Sequence, residues 1–543
     1  MENKKGNGLI MQAGILAAAG FLCRIIGLLY NTPLLMIIGD EGNGYYDSAY
    51  AAYSIVLLIS SYSIPSAVSK VIAQKLAKKE YKNAHRIFRC ALLYVLVVGF
   101  VAALLVFIFA SSLVKLDGAI LPLRILAPTI FFSGILGVLR GYFQAHSTMV
   151  QTSLSQIVEQ IFNAGFSVLM AYLLVNAATG KEASVVASYG AAGGTIGTGA
   201  GVLSALIFMG GIYFINKKSF QKRMDNDKHE NVDSYKDILK LIIMVVTPFL
   251  LSTCIYNVNT FLDKYIYQVI SVKTYGHTDA LIARELSVYS KATKLINIPV
   301  AIASAMATAL IPGVSSAFVI GDMKDVINKV TKSTKVTMLI AIPSVFGMGV
   351  LSMPIMKVIF PQKDTIVISS IMLSTIAVTI VLNSLSTLSQ AVLQSIGKMN
   401  TPLLNAGLAL VIHVVVMVLC MLYLNPDYAI YYYAGTTILY ALLLALFNEL
   451  SVHKNLKLQL DLDKTYLRPF LCSLAMGAVA ILVYLGLYFL IKINIISLFV
   501  AVLAGASTYF VLILKSKTVS EDEFSALPKG KTLLKIAKKV KLL

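Results

Sequence analysis

The sequence predicts an all-α integral membrane protein with about fourteen transmembrane helices, organised as two six-helix lobes plus two C-terminal helices. Three observations predict this class: the apolar composition, the alternating placement of basic residues, and an internal repeat. Apolar residues make up 57% of the 543 positions and charged residues only 13%, against roughly 25% charged residues in a soluble domain. Because a helix needs about 20 mostly apolar residues to cross a bilayer, the chain is long enough for fourteen spans joined by short connections.

The apolar stretches give the elements in order. The first six are expected at 9–38, 46–68, 88–111, 119–139, 150–176 and 186–214. The next six are expected at 238–262, 283–316, 334–358, 366–394, 402–424 and 428–449, and the last two at 467–490 and 493–514. This order predicts an N-lobe at 1–215, a cytoplasmic linker at 216–237, a C-lobe at 238–450, the two additional helices within 451–514 and a basic amphipathic cytoplasmic tail at 515–543.

Basic residues fill nearly every second gap between the spans. Lys75, Lys78 and Lys79 are among the seven that follow span two, whereas the gaps at 39–44 and 425–428 contain acidic residues and no basic ones. Because Lys and Arg are retained on the cytoplasmic side during insertion, both termini are expected in the cytoplasm. The net charge of +20 is explained in the same way, so no nucleic-acid partner is expected. The polar gap from about 216 to 235 is predicted to be only a connecting loop.

An internal repeat relates the two halves. The sequence IPSAVS at 64–69 recurs as IPGVSS at 311–316, an offset of 247 residues, and Gln144 recurs as Gln394 at an offset of 250. The nearly constant offset predicts two lobes of the same orientation. Parallel repeats are typical of transporters, in which the substrate site lies between the halves near the middle of the membrane.

The motifs of enzymes and metal sites are missing from the sequence. There is no Walker loop, no HExxH and no plausible GxSxG, and the five cysteines lie singly in apolar segments without metal-ligand spacing. The chain is therefore expected to be a secondary carrier rather than an enzyme. It is expected to use no cofactor and to be driven by a coupling cation, Na⁺ or H⁺, or by the membrane potential. No cleavable signal peptide is expected, and the C-terminal segment KTLLKIAKKVKLL at 531–543 is expected to lie on anionic lipid of the inner leaflet.

Charged residues within the spans are the leading candidates for function. Arg24 lies about 15 residues into span one, roughly 22 Å deep, where an unpaired charge costs from about 2.5 to over 10 kcal/mol. Lys291 and Lys294 are three residues apart and so share a helical face. Three cations in one chamber would suit an anionic head group such as a diphosphate. The alternative is that Arg24 pairs with a carboxylate such as Glu159 and only holds helices together.

Polar residues form stripes at helical spacing in three spans. They are Thr152, Gln156, Glu159 and Asn163 in span five; Thr253, Tyr256, Asn257, Thr260 and Asp263 in span seven; and Asn383, Ser386, Thr387, Gln390 and Gln394 in span ten. Such stripes either hold helices together or line an aqueous cavity that accepts sugar hydroxyls. In the cavity interpretation Gln156, Asn257, Asn383 and Gln390 bind substrate. Asp47, Glu159, Asp263 and Lys264 are candidates for a coupling-ion site or for ion pairs.

Several segments resemble those of the stage V sporulation protein B group. They are CRIIGLLY at 23–30, YYDSAY at 45–50, IPSAVSK at 64–70 and ALIP at 309–312. The resemblance covers essentially the whole chain. The group belongs to the polysaccharide exporters of the multidrug/oligosaccharidyl-lipid/polysaccharide superfamily and is similar to the MurJ lipid II flippases.

The resemblance implies a fourteen-helix carrier that moves undecaprenyl-diphosphate-linked sugars across the bacterial cytoplasmic membrane, with the lipid tail in a groove of the last two helices. It places the family's cations on Arg24 and Lys294 and its acidic residue on Asp47. Where the MurJ pattern has two further arginines, this chain has Tyr30 and Leu58. The cationic chamber is thus thinner, and a teichoic, capsular or sporulation precursor stays an alternative to lipid II.

The leading hypothesis is therefore a monomeric flippase for a lipid-linked oligosaccharide, working by alternating access, with the lipid bilayer as its surroundings. The first alternative is a cation-coupled multidrug exporter of the same superfamily, for which an acidic chamber would be expected. The second is a membrane scaffold that recruits cell-wall synthases through its basic loops and tail.

Overall fold

The computed structural model describes residues 2–62, 64–146, 149–227, 233–458 and 460–519, and their side chains except at 2–17, 61–64, 66–67, 245–253 and 255–256. Almost all of these residues are helical, and no strand occurs among them. The predicted all-α class is confirmed. The predicted tail at 515–543 lies outside the described residues beyond its first five positions.

The chain divides into two compact units, Met1–Ser287 and Val288–Leu543. The helices of the first unit are α1 (Glu2–Leu57), α2 (Ile64–Ala77), α3 (Tyr81–Ile108), α4 (Ala110–Leu113), α5 (Ile120–Ala145), α6 (Met149–Ala177), α7 (Ala183–Asp225) and α8 (Tyr235–Lys273). Helix α9 (Asp279–Val319) begins in this unit and continues into the second. The predicted lobe boundaries at 215 and 238 differ from this division and stay a prediction.

The second unit continues with eight helices. They are α10 (Met323–Val350), α11 (Ser352–Ile359), α12 (Ile366–Ile376), α13 (Thr379–Ser395), α14 (Asn400–Tyr423), α15 (Ala429–Leu456), α16 (Arg468–Ile491) and α17 (Asn494–Lys515). Predicted span nine is therefore interrupted at Leu351, and predicted span ten consists of α12 and α13, which meet at an angle of 41°.

Helix α1 contains the first predicted span and the first half of the second, which ends in α2. Its hydrophobic part, Ala18–Ser60, has 43 residues and would extend about 65 Å if straight, twice the roughly 30 Å hydrocarbon core of a bilayer. The helix is broken at Gly39, where φ is +69° and ψ is −178°. This conformation is accessible to glycine and costly for residues with a Cβ. A π-helical turn at Leu58–Tyr62 joins α1 to α2.

The number of membrane spans is lower than predicted when continuous helices are counted. Among the described residues, eleven helices are long and apolar enough to cross a membrane, or twelve if the bent pair of α12 and α13 is one span. Ala18–Ser60 counts once in this number although it is broken at Gly39. The count of fourteen stays a prediction.

The connection between α7 and α8 differs from the predicted loop. Helix α7 continues to Asp225, so residues 216–225 are helical. The reason is that this segment is rich in Lys, Gln and Arg, which are polar but have high helix propensity. The lack of an apolar pattern was therefore wrongly interpreted as a loop.

The remainder of this connection is fixed to α2 and α3. Asp227 accepts a hydrogen bond from the backbone N–H of Lys82 at 2.8 Å. Asp233 forms an ion pair with Lys75 at 2.6 Å, and Arg86 donates to the backbone oxygen of Asp233 at 2.9 Å. The α7–α8 connection is thus held by charged side chains of the basic segment after span two.

A row of glycines brings α7 close to α6. A Cβ at Gly193 would lie 2.5 Å from the backbone of Ala171, and a Cβ at Gly201 would lie 2.5 Å from the carbonyl oxygen of Glu159. Small residues at this spacing permit close backbone packing of helices within a membrane. Helix α6 is therefore held along its length by α7, and the position of Glu159 is fixed by this contact.

Candidate functional site

An ion pair within the first unit joins α5 to α6. Arg140 donates from Nη2 to Glu159 Oε2 at 2.7 Å and from Nε to Ser155 Oγ at 2.9 Å. The side chain of Arg140 is 15% exposed and that of Glu159 is 30% exposed. By helical rise, Glu159 lies about 15 Å from the start of α6 at Met149. Glu159 therefore lies well inside α6, whereas Arg140 lies in the last two turns of α5.

Glu159 is thus not the partner of Arg24. Arg24 is exposed, and among the described side chains none forms an ion pair with it. The interpretation in which Arg24 and Glu159 hold helices together is wrong, because Arg140 occupies the carboxylate. Arg140 was missed by the sequence analysis because it follows the last residue of predicted span four and was counted as part of a connection.

Helix α1 passes close to this ion pair at Cys23, the chain neighbour of Arg24. Cys23 is within range of the charges of both Arg140 and Glu159. One turn further along α1, a Cβ at Gly27 would lie 3.3 Å from Gln160 Nε2. Helix α1 packs on α6 here, so the backbone of Arg24 lies in the same region of the first unit as Arg140 and Glu159.

A second polar contact continues along the same two helices. Asn163 donates from Nδ2 to the Tyr30 hydroxyl at 3.5 Å, and Ser167 donates to Asn163 Oδ1 at 3.0 Å. Tyr30 stands where the MurJ pattern has a further arginine. In the stripe of α6, Gln156, Glu159 and Asn163 are half-buried, whereas Thr152 is buried, so three of the four positions are partly accessible.

Asp47 and Lys264 form a second ion pair within the first unit. The Asp47 side chain is 16% exposed and that of Lys264 is 9% exposed. The neighbouring Gln268 donates to Ser48 Oγ at 3.2 Å and accepts from the backbone N–H of Lys115 at 3.1 Å. The structure thus brings together two of the four candidate ion-site residues. A third, Asp263, is buried next to Lys264.

The two lysines of α9 have different surroundings. Lys291 is 1% exposed and donates to Thr365 Oγ1 at 2.9 Å, whereas Lys294 is half-buried. The spacing of three residues correctly suggests adjacent positions on the helix, but Lys291 is covered by the segment that precedes α12. Lys291 is therefore closed off from solvent in this structure.

The other polar stripes are accessible to different degrees. In α13, Asn383, Thr387 and Gln390 are half-buried, and Asn257 in α8 is exposed. The serines between them, such as Ser386, are buried. The accessible positions are those expected of a cavity lining, and the buried serines are those that hold helices together. His413 is fully buried and its Nδ1 lies 2.7 Å from the carbonyl oxygen of Thr436, so this core histidine has a polar partner.

A large apolar groove lies in the second unit, between α10, α16 and α17. Its volume is about 680 Å³. Its lining includes Leu339, Gly347, Met476, Ala506 and Phe510. Lys335, the first lining residue of α10, is the only charged residue among the described residues that line the groove, and Val519 also contributes to the lining.

The sequence analysis named no residue of this groove. An apolar residue that faces a groove looks the same in sequence as one that faces lipid, because both are surrounded by hydrocarbon. Lys335, a base at the start of the hydrophobic part of α10, is the one charged residue of the lining that stands out in the sequence.

Two family models match the chain. One, described as polysaccharide biosynthesis protein, matches residues 9–318. The other, described as MatE, matches residues 248–419. The two matches together extend over most of the predicted repeat.

The chain is similar to three curated proteins of Bacillus subtilis (strain 168). The lipid II flippase MurJ is 23% identical over 436 residues, or 78% of this chain and 79% of the relative. Stage V sporulation protein B is 24% identical over 533 residues, which cover 95% of this chain and 96% of the relative. The uncharacterized membrane protein YabM is 24% identical over 542 residues, which cover 97% of this chain and 96% of the relative.

Two kinds of solved structure share the fold. A structure of lipid II flippase MurJ in an inward closed conformation matches with a TM-score of 0.66 at 16% identity and covers 92% of this chain and 97% of its own. An inward-facing multidrug resistance MATE family transporter matches with a TM-score of 0.62 at 14% identity and covers 80% of this chain and 98% of its own. At these identities the likeness shows the fold alone.

Proposed function

Because the chain belongs to the polysaccharide biosynthesis protein family, within the multidrug/oligosaccharidyl-lipid/polysaccharide superfamily, we propose that it is a flippase for undecaprenyl-diphosphate-linked cell-wall precursors. The proposed cargo is lipid II, and the proposed mechanism is alternating access in the bacterial cytoplasmic membrane. The relatives that carry sequence similarity to it include a lipid II flippase and a sporulation protein. The protein is proposed to act as a monomer.

The groove of α10, α16 and α17 is the observation that carries the proposal. Its volume of about 680 Å³ lies in the upper part of the range for small-molecule sites, roughly 300–1,000 Å³, and its lining is almost entirely apolar. An isoprenoid tail is a hydrocarbon chain, and each buried CH₂ group contributes about 0.8 kcal/mol. The cation of Lys335 at one edge suits a phosphate attached to such a tail.

The charged residues are assigned to the head group. Arg24 and Lys294 are proposed to bind the diphosphate, with Lys291 as a buried support. The accessible residues Gln156, Asn257, Asn383 and Gln390 are proposed to bind the sugars. Asp47, Glu159, Asp263 and Lys264 stay candidates for coupling to Na⁺, to H⁺ or to the membrane potential.

The groove provides the direct test. Ala506→Trp places a large side chain in the groove, whereas Leu503→Trp places it at an exposed position of the same helix. Each variant is expressed in a bacterial strain depleted of its own lipid II flippase. We expect the unmodified chain and L503W to restore growth and A506W to fail, at equal amounts in the membrane. Failure of the unmodified chain to restore growth would assign the cargo to another lipid-linked precursor. Restored growth with A506W would show that the groove is not needed for transport.

The second candidate function is a cation-coupled multidrug exporter. The match to the MatE family model over residues 248–419 favours it. The net basic character of Arg24, Lys291 and Lys294 and the apolar groove do not suit cationic drugs. Export of ethidium from cells that express the chain would support this alternative, and its absence together with growth rescue would support the flippase.

A further inference from the structure

We infer that Arg140 is a binding residue for the phosphates of the transported head group and that Glu159 is the carboxylate it exchanges for them. This inference rests on the proposed function, because it concerns the head group of the same cargo. In the unoccupied site Glu159 neutralises Arg140. When the head group enters, the guanidinium exchanges the carboxylate for a phosphate.

The geometry leaves part of the guanidinium available. An arginine carries five N–H donors in a planar fork. Arg140 uses Nε for Ser155 and Nη2 for Glu159, and among the described residues none accepts a hydrogen bond from Nη1. A planar fork of this kind matches a phosphate in a bidentate manner. Arg140 can therefore bind a phosphate without first breaking every contact it has.

The ion pair is not required to hold α5 and α6 together. The two helices are consecutive, separated only by residues 146–148. Helix α6 is also fixed to α7 through the close contacts at Gly193 and Gly201. A pair with a structural purpose would thus be redundant here. Arg140 and Glu159 are only 15% and 30% exposed, and removing two charges from water costs free energy. Apolar side chains could join the two helices without this cost.

The balance of charge also points to an anion. Arg24 follows Cys23, which is within range of the charges of Arg140 and Glu159, and Arg24 is exposed. Two guanidinium groups and one carboxylate in this region give a net charge of +1 before any substrate enters. This excess of positive charge attracts an anion such as a diphosphate, whereas it does not attract a neutral sugar or a cationic drug. Gln156 and Asn163, one turn to either side of Glu159, offer amide groups to the rest of the same head group.

The test uses the full chain purified in detergent and geranylgeranyl diphosphate as the probe, with geranylgeraniol for comparison. We expect Arg140→Gln to weaken binding of the diphosphate by about tenfold, the effect of about 1.4 kcal/mol, and Glu159→Gln to strengthen it severalfold. The two variants thus act in opposite directions. A pair that only holds helices together predicts the same direction for both variants, because either one leaves the other charge unpaired.

The control is Arg124→Gln, which removes an exposed arginine from the same helix, α5, and is expected to leave binding unchanged. Cys23 gives a second readout that does not depend on the Arg140 variant folding. In a chain that keeps Cys23 as its sole cysteine, the probe should slow its reaction with a small methanethiosulfonate, and E159Q should increase this protection.

Each outcome has a separate meaning. If the unmodified chain binds the diphosphate no more tightly than the alcohol, the proposed function loses its head-group site. If the unmodified chain binds the diphosphate but E159Q weakens that binding, or R140Q leaves it unchanged, the assignment of Arg140 and Glu159 is overturned while the proposed function stands.

Discussion

Ser287 donates a hydrogen bond to Asp40 with an oxygen-to-oxygen distance of 2.9 Å, and the two residues are 247 positions apart. The same offset separates Pro65 from Pro312 in the sequence repeat. Asp40 follows the break of α1, and Ser287 lies in the first part of α9. Equivalent positions of the repeat therefore contact each other directly within the first unit.

Gly44 makes this contact possible, and Gly44→Ala is expected to disrupt it. A Cβ at position 44 would overlap the carbonyl group of Ala283. Overpacking of this kind costs about 1–3 kcal/mol, so the melting temperature in detergent should fall clearly. Gly20→Ala in the same helix meets no atom within 4 Å and should leave the melting temperature unchanged or raise it. Equal effects of the two substitutions would contradict the close approach of α1 and α9.

The Asp47–Lys264 ion pair predicts a marked non-additivity. Lys264→Met leaves the carboxylate of Asp47 unpaired in a mostly buried position, which should lower the free energy of unfolding by about 3 kcal/mol. The double substitution D47N/K264M should recover most of this loss. Asp325 and Lys329, whose side chains are both 37% exposed, form the control pair, and its disruption should cost only about 0.3–0.5 kcal/mol. Additive effects at Asp47 and Lys264 would show that they are not coupled.

The stability of the α7–α8 connection should depend on pH at the acidic end. The hydrogen bond from Lys75 holds the pKa of Glu80 below its usual range. For Lys75, burial opposes the charge, but hydrogen bonds to Asp233 and Glu80 outweigh it and raise its pKa. Because the pKa of Glu80 is lowered on folding, its contribution is present above the ordinary pKa of about 4.5 and is lost as the pH falls through the folded value. For Lys75 the contribution of the charge to stability is present below the ordinary pKa of about 10.5. It is lost as the pH rises through the raised value of the folded chain.

Melting temperatures between pH 3 and pH 7 test this dependence. The unmodified chain should lose stability more steeply below pH 4.5 than Glu80→Gln, which has no carboxylate to titrate at this position. Parallel curves for the two proteins would argue against the ion pair. Lys70→Gln, which removes an exposed lysine of α2, serves as the control and should leave the acidic limb of the curve in place.

The two cations of the proposed head-group site should be necessary for transport. Arg24→Ala and Lys294→Ala are expected to abolish rescue of a strain depleted of its lipid II flippase, because each removes a charge that would bind phosphate. A membrane scaffold would tolerate both substitutions. Rescue by both variants, at normal amounts in the membrane, would therefore favour the scaffold and refute the assignment of the charged site.

The cation of the groove gives the last prediction. Lys335→Glu replaces the charge at the edge of the groove and should weaken binding of geranylgeranyl diphosphate by about tenfold while leaving geranylgeraniol unaffected. Lys332→Glu changes an exposed lysine of the same helix and should have little effect. Equal loss with both variants would indicate a general effect of charge at the membrane surface.

The sequence was sufficient for the all-α class with many membrane-spanning helices, because this class depends on patterns along the chain. It was not sufficient for the partners of charged residues. Glu159 was identified as a candidate for an ion pair, but its partner is Arg140 rather than Arg24. Which base reaches a carboxylate depends on how α5 and α1 pack against α6, and no spacing within a single helix reports that packing.

The solvent accessibility of individual side chains could not be predicted from the sequence either. Lys291 and Lys294 are neighbours on one helix, yet Lys291 is closed off by Thr365 and Lys294 is not fully covered. The groove of α10, α16 and α17 was not visible for a related reason, since the residues of its wall have the composition of any lipid-facing helix. The helical segment 216–225 was missed because its helicity arises from propensity and not from an apolar pattern.

The break in α1 has a mechanical consequence. A single residue, Gly39, connects its two halves, so any change of angle between them must be taken up by rotation about the two backbone bonds of that residue. No loop is present to absorb such a rotation, and each half would swing as a rigid lever. Gly39 is therefore a one-residue pivot, and a residue with a side chain there would stiffen the joint without touching any neighbour.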